Sequence, residues 1–410
     1  MFVSEVARYL CSFLPTRPSS QHSSTHFCPR LGQTVKDGRY EILRKLGEGT
    51  TSSTWLVKDS LASKRKYLAA KILTVEASES SNEVNFLQAI ERYESANPEA
   101  EGLEYLPLLL DHFISIVNDA GPSPRHHTCL VMPLYSTSVS ALRRSAPKKR
   151  LPLYMVKSII YMALQALETM HTIGIIHTDI KLDNFLFTNE IFTSDKYLED
   201  YLTGNPAQFD PTGAPTVQPL ASEWSFETSA FDAERMSVVL TDFSHAEWAD
   251  QPPKAQMFCP PALRPPEVIL EAGITTAVDI WAIGCLTFEL LVGRWLFHPE
   301  SGFLLPSEHD HLAKMMELTG QTSFPKSVLD RAKLRNLYFN KEGSLSRIPK
   351  LVPVTIEAAI SNYNVPGLQE EDIREAADFI RSCLHLDGAK RKTAAELLKH
   401  SFPLGAFSCH

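Results

Sequence analysis

The 410-residue sequence predicts an α+β protein of two lobes, a small antiparallel β lobe with one main helix and a larger, mostly α-helical lobe. Three observations carry that expectation. Between Gly38 and Tyr135 short runs alternate apolar and polar residues and break at glycine, the period-2 pattern of half-buried strands. After Tyr135 apolar side chains recur at helical spacing, at Val156, Ile159, Ile160, Ala163, Ala166, Leu167 and Met170. Finally, TTAVDIWAIGCLTFELLVG is apolar all round and stops at Gly293, which suits a helix buried at the centre of a lobe.

In chain order, RYEILRKLGEGTTSSTWLVKD followed by KYLAAKIL reads as strand–turn–strand–strand. SNEVNFLQAIERY has helical spacing at Val84, Leu87 and Ile90, and LPLLLDHFISIV and TCLVMPLY are strand-like again. Beyond the central helix, further helices are expected near His311–Thr319, Glu371–Leu386 and Thr393–His400. The domain boundaries that follow are an N-terminal extension without structure at 1–35, a small lobe at 36–135, a large lobe at 136–404 and a tail at 405–410. Inside the large lobe, 188–236 is rich in Pro, Gly, Ser and Thr. It holds nine acids against Lys196 and Arg235, and reads as an inserted acidic loop. The basic run RRSAPKKR, Arg143 to Arg150, reads as a solvated loop in preference to a nuclear-import signal.

Composition narrows the function. Hydrophobic residues at 44% and charged residues at 21% describe an ordinary globular chain. A formal charge of −8 argues against nucleic acid as a direct partner. Seven cysteines with no C-x-x-C favour reduced thiols over a disulfide or zinc framework. No apolar run approaches the ~20 residues of a membrane span.

Chemistry concentrates in a few stretches. LGEGTTSST provides Gly47 and Gly49 for a tight hairpin whose N–H groups can approach phosphates, with Ser52 where a third glycine often stands. Lys71 sits inside the apolar run LAAKIL, where burial is costly unless an anion meets it, and Glu83 on the following helix is the obvious partner. In IIHTDIKLDN, Asp179 can accept a proton from an incoming hydroxyl, and Lys181, two residues on, can neutralise a transferring phosphoryl group. Asn184 offers a neutral oxygen to a magnesium ion. TDFSH adds the carboxylate of Asp242 behind a short apolar strand, placed to chelate Mg2+ between the phosphates, the ion at Asn184 being the second. Each residue alone reads as a loop carboxylate or a cap; their order together does not.

That order resembles a eukaryotic protein kinase, and the similarity continues through RPPE (Arg264–Glu267), D-x-W-x-x-G (Asp279–Gly284) and KRKTA (Lys390–Ala394). HTD for HRD, the serine at the third glycine position and the insertion before Asp242 are similar to the SR-protein kinases, especially fungal ones, from about residue 36 to 404. The resemblance implies a bilobal kinase fold and an ATP-dependent serine/threonine kinase using Mg2+. Asp179 and Lys181 would be catalytic and Asn184 and Asp242 metal-binding. The ATP site would take Gly47, Gly49, Ser52, Ala69, Lys71, Glu83, Met132, Pro133 and Tyr135. It further implies a Glu267–Arg391 pair, a bracing role for Asp279, and docking of basic segments at Asp310 and Glu317. Protein substrates, Arg/Ser-rich splicing factors among them, a role in RNA splicing regulation, a monomer, no membrane and a cytoplasmic or nuclear address complete the expectation.

Departures are visible too. Ser244 replaces the glycine of DFG, Pro265 the alanine of APE, and Arg294 stands where relatives can carry a third docking acid. Thr178 removes the arginine that normally awaits an activating phosphate, and His245–Glu267 contains no serine, threonine or tyrosine to carry one. Two other readings remain at this point: a scaffold that binds ATP without efficient transfer, and a small-molecule kinase of related fold.

Overall fold

In chain order the elements are β1 (Thr34–Val35), β2 (Tyr40–Glu48), β3 (Ser52–Asp59), β4 (Tyr67–Leu73), α1 (Val75–Ser80), α2 (Glu83–Ala96), β5 (Asp111–Val117) and β6 (Arg125–Met132). Then come α3 (Val139–Ser145), α4 (Leu153–Ile173), β7 (Ile175–Ile176), β8 (Phe185–Phe187), α5 (Asp195–Gly204), α6 (Ala230–Ala233), β9 (Val238–Leu240) and β10 (Glu247–Trp248). They are followed by α7 (Pro266–Ile269), α8 (Ala277–Val292), α9 (Ser307–Thr319) and, after shorter turns, the helices Ile356–Ser361 and Glu370–Cys383. The computed structural model describes residues 25–118, 124–253, 259–301 and 306–405, so most of the N-terminal extension, the tail beyond 405 and part of the segment after Asp242 lie outside the described residues.

The chain forms two compact units. The first comprises Met1–Ser81, Leu110–Leu134 and Thr193–Pro219; the second comprises Asn82–Leu109, Tyr135–Phe192 and Leu220–His410. In the first, six strands form an antiparallel sheet of order β1-β2-β3-β4-β6-β5. Alternation places Tyr40, Ile42, Trp55, Val57, Ala70, Ile72, Cys129 and Val131 in one buried cluster, the driving force for the unit. Asp111 ties the sheet's start together, taking Lys36 Nζ at 2.5 Å and the Tyr40 hydroxyl at 2.6 Å. The strand expected across LPLLLDHFISIV is confined to its second half, from Asp111.

The acidic insert is more ordered than a loop. Its 193–219 portion belongs to the first unit and contains α5, which begins with Asp195 favourably placed in the first turn. Asp195 accepts the Lys66 N–H at 2.9 Å and Glu199 accepts the Tyr67 hydroxyl at 2.7 Å. Gln218 N donates to Lys45 O at 2.8 Å, and the buried Arg44 guanidinium donates to the Asn205 carbonyl beside the Tyr201 ring. Part of the insert's acidity therefore fastens it to the sheet.

The second unit is helical around α8, in which Val278 through Val292 are all buried. At Gly284 an added Cβ would lie 2.7 Å from Cys383 Cβ, so the glycine allows helix Glu370–Cys383 to pack closely. Glu267 and Arg391 form a buried bidentate pair at 2.6 and 2.7 Å, joining α7 to the chain after that helix. The basic run is not simply solvated. Arg143 is buried against Glu289, and Arg150 donates to Val292 O, because the carbonyls ending α8 need donors that this run supplies. Among the described residues no helix is long and apolar enough to cross a membrane.

Candidate active site

The catalytic-loop residues converge in the second unit. Asp279, 1% exposed, receives the N–H groups of His177 and Thr178 at 2.9 Å each, and His171 Nε2 lies 3.0 Å away. A carboxylate held inside α8 thus fixes the backbone entering the loop. His177 Nε2 donates to Thr241 O at 3.1 Å while Nδ1 accepts the Asp179 N–H at 3.3 Å, so a single tautomer satisfies both. Asp179 Oδ2 lies 2.5 Å from Lys181 Nζ and 3.3 Å from Asn184 Nδ2, and that amide also donates to Asp179 O at 2.9 Å. Asn184's amide nitrogen is spent on Asp179, which leaves its oxygen as the group to offer a cation.

Strand pairing brings in Asp242. Phe185 faces Leu240 across β8 and β9, and Thr241 donates to Asn184 O through both N–H (2.8 Å) and hydroxyl (2.9 Å). Asp242 follows directly, with φ of 69°, a left-handed conformation unusual for a side-chain-bearing residue outside functional sites. Ser244 Oγ donates to Asp242 Oδ1 at 2.8 Å. Glu83 on α2, 2% exposed, accepts the Phe243 N–H at 3.2 Å, and Phe86 packs on Trp248 at 4.7 Å. The roles of His177 and Thr241 in this arrangement escape motif reading, because each works mainly through hydrogen bonds to backbone groups.

Thr178 has its own place. It is 1% exposed with φ of 64°, and its hydroxyl donates to His245 O at 2.6 Å while its carbonyl takes the Cys259 thiol. Where an arginine would await a phosphate, a neutral hydroxyl fastens the following segment directly.

The first unit holds the other expected residues. Gly49 N–H closes the hairpin onto Ser52 O at 2.8 Å, and Gly47 faces Thr54, which in turn faces Lys71 across β3 and β4. Neither glycine has a positive φ, and an added Cβ would meet nothing nearer than 3.9 Å. The fold itself does not demand them. Lys71 is 7% exposed on its strand. Ala69, 6% exposed, pairs with Met132, the last residue of β6 before Pro133. Tyr135 opens the second unit, its phenol pushed up in pKa by burial. No three His, Cys, Asp or Glu side chains cluster to cage a metal among the described residues. A divalent ion at Asn184 and Asp242 would need further oxygens, which suits Mg2+ shared with phosphates.

Asp310 and Glu317 are both on α9, but each is engaged. Asp310 pairs with Lys314 and accepts the Glu300 N–H, both at 2.8 Å, and Glu317 accepts the Val352 N–H at 2.8 Å.

Sheet, central helix and converging loop define a protein kinase, and residues 40–403 match the family model for the protein kinase domain, so the chain belongs to that family. It is similar to the serine/threonine-protein kinase SRPK of Physarum polycephalum, 29% identical over 91% of this chain and 87% of that protein. Protein kinase dsk1 of Schizosaccharomyces pombe is 23% identical over 89% of this chain and 80% of its own length. Serine/threonine-protein kinase SKY1 of Saccharomyces cerevisiae is 29% identical over 50% of this chain and 27% of its own. The chain is a serine/threonine protein kinase, similar to the SRPK-type kinases.

Proposed function

We propose that the protein transfers the γ-phosphoryl group of Mg·ATP to serine, or threonine, hydroxyls in basic, Arg/Ser-rich protein segments. The reading rests on one observation: Asp179 in contact with both Lys181 and Asn184, with Thr241 fastening Asn184 beside Asp242. In the proposed step Asp179 takes the acceptor's proton as its oxygen bonds to the γ-phosphorus and the bond to ADP breaks. Lys181 neutralises charge on the transferring group. Asn184 and Asp242 would hold Mg2+, which would supply neutralisation of the phosphate charge. Lys71 would hold the α- and β-phosphates under the Gly47–Ser52 hairpin, and Ala69, Met132 and Pro133 would line the adenine site. Pro133 can meet adenine only through its carbonyl.

Substrate docking at Asp310 and Glu317 is the finer part of the proposal. They stand seven apart, two turns along one face of α9, about 10 Å by helical rise. Arg–carboxylate pairs are strong and directional, but an incoming guanidinium must displace Lys314 and an N–H bond. Docking should therefore be weak. The experiment compares an Arg–Ser repeat peptide with a Ser–Pro peptide of equal length, in Mg·ATP, across a salt series. The repeat should be preferred at low salt, and Asp310→Ala with Glu317→Ala should reduce that preference. Equal rates would discard the Arg/Ser reading, and a wild type no faster than Asp179→Asn would make the protein a scaffold.

A further inference from the structure

Beside the catalytic loop, in the second unit, lies a cavity of about 590 Å3 between α3, the chain after it and the end of α8. Four cations, Arg143, Arg144, Lys149 and Arg294, face two carboxylates, Asp183 and Glu289, so two positive charges are in excess. The carboxylates are already taken. Arg143 Nη2 lies 2.9 Å from Glu289, and Arg144 Nη1 lies 3.3 Å from Asp183. Burial raises the pKa of Glu289, and the nearby charges of Arg143 and, more weakly, Lys149 oppose the rise.

Of these cations Arg143 caps α8, donating to one of its last carbonyls, as Arg150 does from outside the cavity. Lys149 and Arg294 do not. Both are exposed, and neither side chain has a hydrogen bond or ion pair among the described residues. The loop presenting Lys149 is also built under strain, because Lys148 and Lys149 are both left-handed, at φ of 54° and 59°. Gly293, whose added Cβ would lie 2.2 Å from Lys148 O, lets that loop close against the end of α8. Trp295 and His298, stacked 5.8 Å apart, form a further part of the wall.

We propose that this cavity is an anion subsite for the substrate, taking a phosphoserine or a carboxylate side chain near the acceptor residue. It rests on the kinase reading above and adds a second requirement to it. Asp183 is four residues from Asp179, so their Cα atoms are at most about 14 Å apart. In an extended peptide that distance corresponds to about four residues, so the near wall of the cavity is in reach of the four positions on either side of the phosphorylated hydroxyl. A basic residue there would meet Lys149 and Arg294 as like charges.

The test is a set of single-acceptor serine peptides carrying Ala, Arg, Asp or phosphoserine at each of the four positions on either side. At the best position the wild type should phosphorylate the phosphoserine peptide with a kcat/KM about tenfold above the Ala peptide, as one or two charge-assisted contacts would give. The Arg peptide should fall below Ala. A gain shared by Asp means any carboxylate serves; a gain confined to phosphoserine means the dianion is required. Arg294→Glu, alone or with Lys149→Asn (asparagine tolerates the left-handed backbone), should bring the phosphoserine-to-Ala ratio towards one. The absence of any position at which phosphoserine or Asp exceeds Ala overturns the proposal, whatever the preference for Arg elsewhere. Anisotropy of a labelled phosphoserine peptide, without nucleotide, separates the two readings. Binding weakened by Arg294→Glu in a protein that phosphorylates nothing keeps the subsite and sinks the substrate role, while binding indifferent to that change rejects the subsite.

Discussion

Thr178 illustrates how much one buried side chain decides. Its hydroxyl is the partner of His245 O, so Thr178→Val removes that hydrogen bond at nearly constant shape, a loss of about 0.5–1.5 kcal/mol. Urea unfolding should show that loss, together with a fall in kcat that no upstream kinase restores. Asp179→Asn and Asp242→Asn act on chemistry instead, and each should reduce kcat by about a hundredfold or more, with folding unchanged by circular dichroism. His311 makes a pH prediction. It is 3% exposed, packs on Phe297 at 5.3 Å and has an Nε2 with no hydrogen-bond partner, and burial lowers its pKa from 6.5 to about 3. Between those values the unfolded chain binds a proton that the folded one refuses. Stability is therefore full above pH 6.5 and declines as pH falls, by about 1.4 kcal/mol per pH unit. Buried His127 and His309 shift in the same direction, so the readout is a difference: His311→Leu should lose about 1.4 kcal/mol less than wild type between pH 7.5 and pH 5.5.

Elements explain which parts of this molecule can be read from sequence. The loop from His177 to Asn184 was legible because its chemistry is carried by residue types at fixed short offsets, and the central helix because fifteen consecutive buried positions leave no polar face to misread. Helix α5 was not legible. It has a single buried residue, Leu198, and is fastened by polar side chains whose partners Lys66 and Tyr67 are far away in sequence. Local composition there says loop, and tertiary pairing overrides it. The same holds for Arg143, a member of a charge run whose burial depends on Glu289 at the far end of α8. Two measurements belong at this scale. Tyr67→Phe combined with Asp195→Ala should remove two fastenings of α5, and amide exchange across 195–204 should quicken while the sheet stays protected. Gly284→Ala should force apart two helices now in close contact, destabilising by about 1–3 kcal/mol in thermal unfolding without a specific effect on ATP binding.

The whole molecule raises the question of control. Kinase segments that follow the metal carboxylate are commonly ordered by a phosphate that an arginine receives. Here the arginine is Thr178, and His245 to Glu267 offers no hydroxyl to phosphorylate. Other contacts hold the described ends of that stretch. At one end Thr178 binds His245, and β10 pairs with β7 through Glu247–Ile176 and Trp248–Ile175. At the other end Cys259 donates to Thr178 O, Arg264 donates to Cys259 O at 3.2 Å, and Glu267 is locked to Arg391. A receptor and its phosphate are missing together, and neutral hydrogen bonds stand where they would act. The protein should therefore be active as synthesised. Material made in bacteria, treated with phosphatase and shown by intact mass to carry no phosphate, should phosphorylate a basic serine peptide at full rate. Incubation with an upstream kinase should change kcat by less than about twofold, under 0.5 kcal/mol in the barrier. Ser244 is the one hydroxyl adjacent to the stretch, and it is already engaged with Asp242. A gain of tenfold or more that disappears in Ser244→Ala would show that control has moved to the metal-binding motif, and would refute activity at synthesis.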